Sequence, residues 1–106
     1  MARFILGQAA PAASTNTNVY TVPSGKSAVV TIQVCNRSTS AVLNYDIIIL
    51  KSGDTLGNKN YLAKSFELPA KAGETVAASV TLGAGDKVDT NIDTANGTVM
   101  VFGDES

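Results

Sequence analysis

Few residues in this chain are of types that do chemistry, and their spacing decides what they could do. Gly25-Lys26-Ser27 has the ending of a phosphate-binding loop, where backbone N–H groups and a lysine cradle phosphates. That motif needs glycine where Tyr20 stands, and a helix where this chain enters a strand pattern. Gly83-Ala84-Gly85 is a bare G-x-G between two strand patterns, which turn geometry explains without a dinucleotide. Asp86, Asp89 and Asp93 offer carboxylates to calcium but lack the loop spacing of an EF-hand, and read as solvated acids of a polar hairpin. With no histidine there is no Ser-His or Cys-His nucleophile, no imidazole base and no His-based zinc site. The expectation is a protein that is not an enzyme, with no catalytic residue, no metal and no cofactor.

The remaining candidates are weaker. Cys35 is alone, so it forms no internal disulfide, and within a strand pattern it reads as a small buried or half-buried hydrophobe. Asn36-Arg37-Ser38 and Asn96-Gly97-Thr98 match the glycosylation acceptor pattern and are most simply turns. Tyr61 beside Asn58 and Asn60 is the one cluster suited to a sugar, whose C–H face stacks on a ring while amides take the hydroxyls. The competing reading of Tyr61 is a strand-edge residue with its ring half packed.

The elements that would position these residues are strands. Residues 19–38, VYTVPSGKSAVVTIQVCNRS, read as a short strand, a sharp turn at Pro23-Ser24-Gly25 and a long strand, a hairpin on which the rest is organised. In the long strand Val30, Ile32 and Val34 share one parity, the period of two that a pleated strand with a core face requires. Residues 42–51 are apolar on both faces, Leu43, Tyr45, Ile47 and Ile49 against Ile48 and Leu50, which predicts cover on both sides. Residues 61–68 form a weaker strand with Leu62, Phe66 and Leu68 inward. Val76, Ala78, Val80 and Leu82 alternate with small or hydroxylic residues. Lys87 opens another short strand with Val88 and Ile92 on one face. Asn96-Gly97 then signals a tight hairpin into a last strand with Met100 and Phe102 inward.

Seven or eight short strands with no helix long enough for a crossover predict an all-β fold: a two-sheet antiparallel β-sandwich, jelly-roll or immunoglobulin-like. Absence of Trp and of a second Cys removes the immunoglobulin signature, and the strand count leans to the jelly-roll. The expected core is Val30, Ile32, Val34, Ile47, Ile49, Val76, Val80, Leu82, Met100 and Phe102.

Length, 44% hydrophobic residues and a net charge of −1 fit one domain with its own core, and give neither the basic excess of a nucleic-acid binder nor a membrane span. Phe4, Ile5 and Leu6 are too short a run for a signal-peptide core, so synthesis in the cytoplasm is expected. Residues 1–18 read as an extended N-terminal arm before a sandwich over residues 19–106. The arm's Phe4, Ile5 and Leu6 are the expected partner-binding residues, because each costs roughly 1.5–3 kcal/mol to leave in water rather than bury. A linker over residues 9–18 able to span about 30 Å favours docking on a neighbouring subunit. Deletion of residues 1–14 should then leave a folded domain.

A family resemblance goes further. Leu6-Gly7-Gln8, Val19-Tyr20-Thr21-Val22-Pro23-Ser24-Gly25-Lys26, Val34-Cys35-Asn36-Arg37-Ser38, Leu56-Gly57-Asn58-Lys59-Asn60-Tyr61-Leu62-Ala63, Leu82-Gly83-Ala84-Gly85-Asp86 and Val101-Phe102-Gly103 together resemble small structural proteins of tailed bacteriophages. The resemblance implies a virion component made in the bacterial host, most plausibly a capsid decoration or cement protein. Its partners would be the major capsid protein and further copies of itself, as a dimer or trimer, with no nucleic acid and no membrane. The other reading it allows is a tail- or fibre-associated protein with a glycan- or receptor-binding sandwich.

Overall fold

The computed structural model describes residues 3–106. The chain is all-β, with eight strands: β1 (Arg3–Ala9), β2 (Thr17–Thr21), β3 (Ala28–Asn36), β4 (Leu43–Leu50), β5 (Tyr61–Leu68), β6 (Gly73–Leu82), β7 (Lys87–Ile92) and β8 (Gly97–Glu105). A 3-10 turn, Asn58–Asn60, leads into β5. The strands make two antiparallel four-stranded sheets, a first in the order β1-β8-β3-β6 and a second in the order β2-β7-β4-β5. Each strand of the first half pairs with its mirror in the second: β1 with β8, β2 with β7, β3 with β6, β4 with β5. That nested pairing is a long hairpin rolled into a sandwich, the jelly-roll rather than the immunoglobulin connection.

All connections except β4 to β5 change sheets. The expected hairpin at Pro23-Ser24-Gly25 is therefore an arch: β2 pairs with β7, while β3 lies between β8 and β6. Gly25 takes φ 77, Lys26 N–H donates to the Pro23 carbonyl, and Val22 is tied to Asp86 across the gap. Asn96-Gly97 likewise carries the chain between sheets. Arg37 holds that turn, donating to the Thr98 hydroxyl at 2.9 Å and the Ala95 carbonyl at 2.7 Å.

The residues expected to be an arm belong to the sandwich. Arg3–Ala9 is an outer strand of the first sheet, in register with Val99 to Asp104 of β8. The chain's own unpaired β8 edge was the nearest dock, and Gly7 permits it, since a Cβ there would lie 2.2 Å from the Val19 carbonyl oxygen of β2. Deletion of residues 1–14 would remove this strand, so the boundary at residue 18 does not separate an arm from a domain. Met1 and Ala2, the start of that segment, lie outside the described residues.

The core follows the expected parity in the central strands. Val30, Ile32, Val34, Ile47 and Leu82 are buried, and Ile49, Val76 and Val80 are packed against them in part. Met100 and Phe102 are the exception. Val99 and Val101 are fully buried in their place, and Met100 and Phe102 stand on the outer face. Gly103 fixes this register, because it faces Val30 at φ 153, where a Cβ would come within 2.1 Å of the Val29 carbonyl oxygen.

Buried polar groups are bonded locally. Asn36, 1% exposed, donates its amide to the carbonyls of Ala41, Leu68 and Pro69 and accepts from Ser38 N–H, a structural role that consumes the side chain of the first glycosylation-like motif. Thr90 donates to the Asp46 carbonyl at 2.9 Å.

The central pairings β3–β8 and β4–β7 run without a register shift, whereas every edge strand is bulged. Leu6 is the extra residue in β1 and Val19 in β2. Strands β5 and β6 carry two shifts each, with Ser65 and Ser79 at positive φ. Those shifts overturn the alternation expected there. Leu62 is exposed, Phe66 faces inward beside Tyr45 but stays half-exposed at the open edge, and Ala77 rather than Ala78 opposes Ile32.

Candidate interaction surface

The two outward faces of the sandwich are built differently, and the reason lies in which side each charged residue takes. On the first sheet the outward parity is Val29, Thr31, Gln33 and Cys35 of β3, with Thr98, Met100, Phe102 and Asp104 of β8. Ile5 stands beside Phe102, Gln8 beside Met100, Thr75 beside Gln33 and Thr81 beside Val29. Among the described side chains on this face Asp104 alone is charged. Ile5 is 55% exposed and Val29 42%. Cys35 is exposed on this face too, neither buried nor half-buried as its strand context suggested.

The glutamates of the first sheet turn the other way. Glu74 of β6 and Glu105 of β8 hold the inward parity, opposite Val34 and Ala28. Each accepts a hydrogen bond from a tyrosine of the second sheet: Tyr20 Oη donates to Glu105 Oε1 at 2.6 Å, and Tyr45 Oη donates to Glu74 Oε2. Burial first, and then the carboxylate at the phenol, hold both tyrosine hydroxyls well above their ordinary pKa.

The second sheet's outward face is polar and cross-linked. Asn18 donates to Asp89 at 2.9 Å, Asn44 is held by both oxygens of Asp93, and Asn91 donates to Asn16. Asp46 accepts from Ser65 N–H at 2.7 Å and from Lys64 Nζ at 3.2 Å, which anchors the β5 bulge and raises the Lys64 pKa. Ile48 is buried on this side, flanked in register by Asp89 and Tyr61, so the cover expected for it comes from within the chain.

The sequence-derived candidates are dispersed over this frame. Asp86 caps the β6–β7 turn by accepting from Gly83 and Ser52 N–H groups, whereas Asp89 and Asp93 bind asparagines along and beyond β7. They are not brought together, and among the described residues no group of acids or thiols is placed to hold a metal ion. Lys26 lies in an exposed turn that runs into β3, not into a helix.

The sugar-like cluster does not assemble either. Asn60 is buried, donating to the Ile49 carbonyl and Asp54 and accepting from Gly57 N–H. Lys64 Nζ lies 4.7 Å from the centre of the Tyr61 ring and covers one of its faces.

Of the expected partner-binding residues, Phe4 and Ile5 are about half exposed and Leu6 packs in part on the core. Ile5 belongs to the outward face of the first sheet. Phe4 has the opposite parity, across from Gly103 near one end of the sandwich. Sequence reading missed the rest of the surface, because Phe102, Met100 and Val29 become neighbours of Ile5 only once β1, β8 and β3 are paired.

No family model matches this chain, and neither a curated protein nor a solved structure matches it.

Proposed function

We propose that the chain is a structural protein of a tailed-bacteriophage virion: a capsid decoration, or cement, protein that binds the outer surface of the shell and stabilises contacts between major capsid subunits. It works there as a folded subunit, with no reaction, cofactor or nucleic acid, after synthesis in the bacterial host cytoplasm. The observation that carries this reading is a contrast within the surface. All four edge strands are broken by bulges, which blunt strand addition, while one sheet face sets Ile5, Val29, Met100 and Phe102 outward among mostly uncharged polar residues. A subunit that joins an assembly through faces needs that combination. The jelly-roll also serves viral capsid and lectin domains, an analogy of fold alone.

Ile5 on that face and Phe4 at the end of the sandwich, both about half exposed, are the residues assigned to the shell. The test mixes purified protein with undecorated capsids of the phage carrying this sequence and measures co-sedimentation and heat resistance of the shell. Binding at a copy number comparable to that of the major capsid protein, weakened by Phe4→Ser, is expected. Virions holding only a few copies, at the tail, would replace this reading with the fibre-associated one. The geometry around Tyr61 gives that alternative less support, since the ring and the Asn60 amide are already engaged.

A further inference from the structure

The arch between β7 and β8 holds the one asparagine of this chain that is followed by glycine, and its surroundings leave that pair open to reaction. We propose that Asn96-Gly97 is a site of spontaneous deamidation in the folded protein, where the Gly97 backbone nitrogen closes on the Asn96 side chain and converts it to aspartate and isoaspartate.

The chemistry needs only water and hydroxide. Hydroxide takes the Gly97 N–H proton, and the nitrogen bonds to Asn96 Cγ. The tetrahedral adduct then breaks its bond to the side-chain nitrogen, which takes a proton and leaves as ammonia. Water opens the resulting succinimide ring at either carbonyl. Attack at Cγ leaves an ordinary peptide bearing aspartate; attack at the α-carbonyl carbon leaves the chain running through the former side chain, as isoaspartate.

Three features of the fold select this pair. The first is the amide itself. The amides of Asn18, Asn36, Asn44, Asn60 and Asn91 all donate hydrogen bonds, and Asn16 accepts the one from Asn91. Asn96 is exposed, and among the described residues its side chain makes no hydrogen bond. Asn58 is exposed too, but Lys59 follows it, whose Cβ crowds the ring closure that glycine permits.

The second feature is the nucleophile. Asn36 N–H is spent on the Ala72 carbonyl and Arg37 N–H donates to the Asn96 carbonyl, both at 2.8 Å. Gly97 therefore faces Asn36 as a non-hydrogen-bonded pair, its N–H turned away from β3. On the other side β1 stops opposite Val99, short of Gly97. No strand locks the proton in place. The third feature is Arg37. Peptide resonance moves the charge of a deprotonated Gly97 nitrogen onto the Asn96 carbonyl oxygen, where the Arg37 N–H already sits. The guanidinium brackets that oxygen, donating to the carbonyls of Ala95 at 2.7 Å and Gly97 at 3.4 Å. Donors and positive charge are thus fixed in advance where negative charge develops.

This inference does not rest on the virion reading, because its test needs only the purified full-length chain. The chain is held at mildly alkaline pH, with circular dichroism confirming that it stays folded, and is sampled by ion exchange and peptide mapping. A form with one more negative charge should accumulate at a rate proportional to hydroxide, with the change mapped to residue 96. Asn96→Gln should abolish it, since a longer side chain must close a larger ring. Arg37→Gln should slow it about fivefold, the worth of one charge a few ångströms away in water. Asn58→Gln should change nothing. The proposal is overturned if the folded chain gives no acidic form over a period in which the urea-unfolded chain converts fully, or if the change maps to another asparagine. A folded Arg37→Gln chain that converts as fast as the parent, or faster, would overturn the part given to Arg37.

Discussion

The two faces of this sandwich share a backbone plan and differ in chemistry. The second sheet spends its outward positions on asparagine–aspartate pairs and on the Asp46 anchor of the β5 bulge. The first sheet leaves Ile5, Val29, Met100 and Phe102 outward and draws Glu74 and Glu105 inward to tyrosines of the opposite sheet. A polar, cross-linked outer face solvates a sandwich; one that sets large apolar side chains outward, while its two glutamates bond tyrosines of the opposite sheet, is suited to being covered. The lesson is that the disposition of a few charged residues, more than total hydrophobicity, separates a solvent face from a contact face. A net charge of −1 and 44% hydrophobic content conceal that difference entirely.

The largest expected effect strikes the register that creates the contrast. Gly103→Ala would force a Cβ to within 2.1 Å of the Val29 carbonyl oxygen at a φ that L side chains avoid. We expect a loss of roughly 3–5 kcal/mol in a denaturation experiment, from overpacking against backbone together with conformational strain. A loss under about 1 kcal/mol would mean that β8 can shift, and that the apolar face is not fixed.

A smaller, paired effect sharpens the assignment of faces within β8. Val101→Ser buries a hydroxyl at a site with no solvent access and removes apolar contact, at an expected cost of about 3 kcal/mol. Met100→Ser, one residue away on the outward face, should cost less than about 1 kcal/mol in the isolated chain. Equal losses in the two variants would place both side chains in the core and erase the distinction.

That pair also marks where sequence reading succeeded and failed. Val30, Ile32, Val34 and Ile47 were legible because β3 and β4 are central strands, unbulged in their pairing with β8 and β7, where alternation maps directly onto inside and outside. In β8 the size of Met100 and Phe102 suggested the wrong face. Extending the parity to Thr98 and Asp104 would have corrected it, since that row is polar at both ends. In β5 and β6 an extra residue resets the parity, and the sequence has no local mark for it: Ser65 is held at positive φ by the distant Asp46, and Ser79 is not glycine. The turns at Pro23-Ser24-Gly25 and Asn96-Gly97 were legible as turns but not as arches, because the same residues bend a chain within a sheet or between sheets. Phe4, Ile5 and Leu6 were legible as a run that must dock, and within the chain β1 docks on β8 while leaving Phe4 and Ile5 about half exposed. The face around Ile5 was not legible, because it is assembled from strands far apart in sequence.

A further effect tests the tyrosine–glutamate bonds that link the two sheets. Tyr20 and Tyr45 reach across the sandwich to Glu105 and Glu74, and burial together with those carboxylates raises both phenol pKa values above the ordinary value near 10. In the unfolded chain the phenols ionise at that ordinary value, while in the folded chain they keep their protons to higher pH. The stabilisation is therefore complete below about pH 10 and is lost as pH rises further, because the unfolded state then releases protons that the folded state holds. Titrating stability from pH 8 to 11 should show a decline that begins near the unfolded pKa of the two phenols. Tyr45→Phe should lower stability at neutral pH by about 1–2 kcal/mol, the value of a hydrogen bond to a carboxylate that remains partly solvated, and should flatten the alkaline decline. If Tyr45→Phe leaves the alkaline limb unchanged, the phenol does not hold Glu74 inward. Register alone, with Glu74 opposite Val34, would then account for the side on which that carboxylate lies.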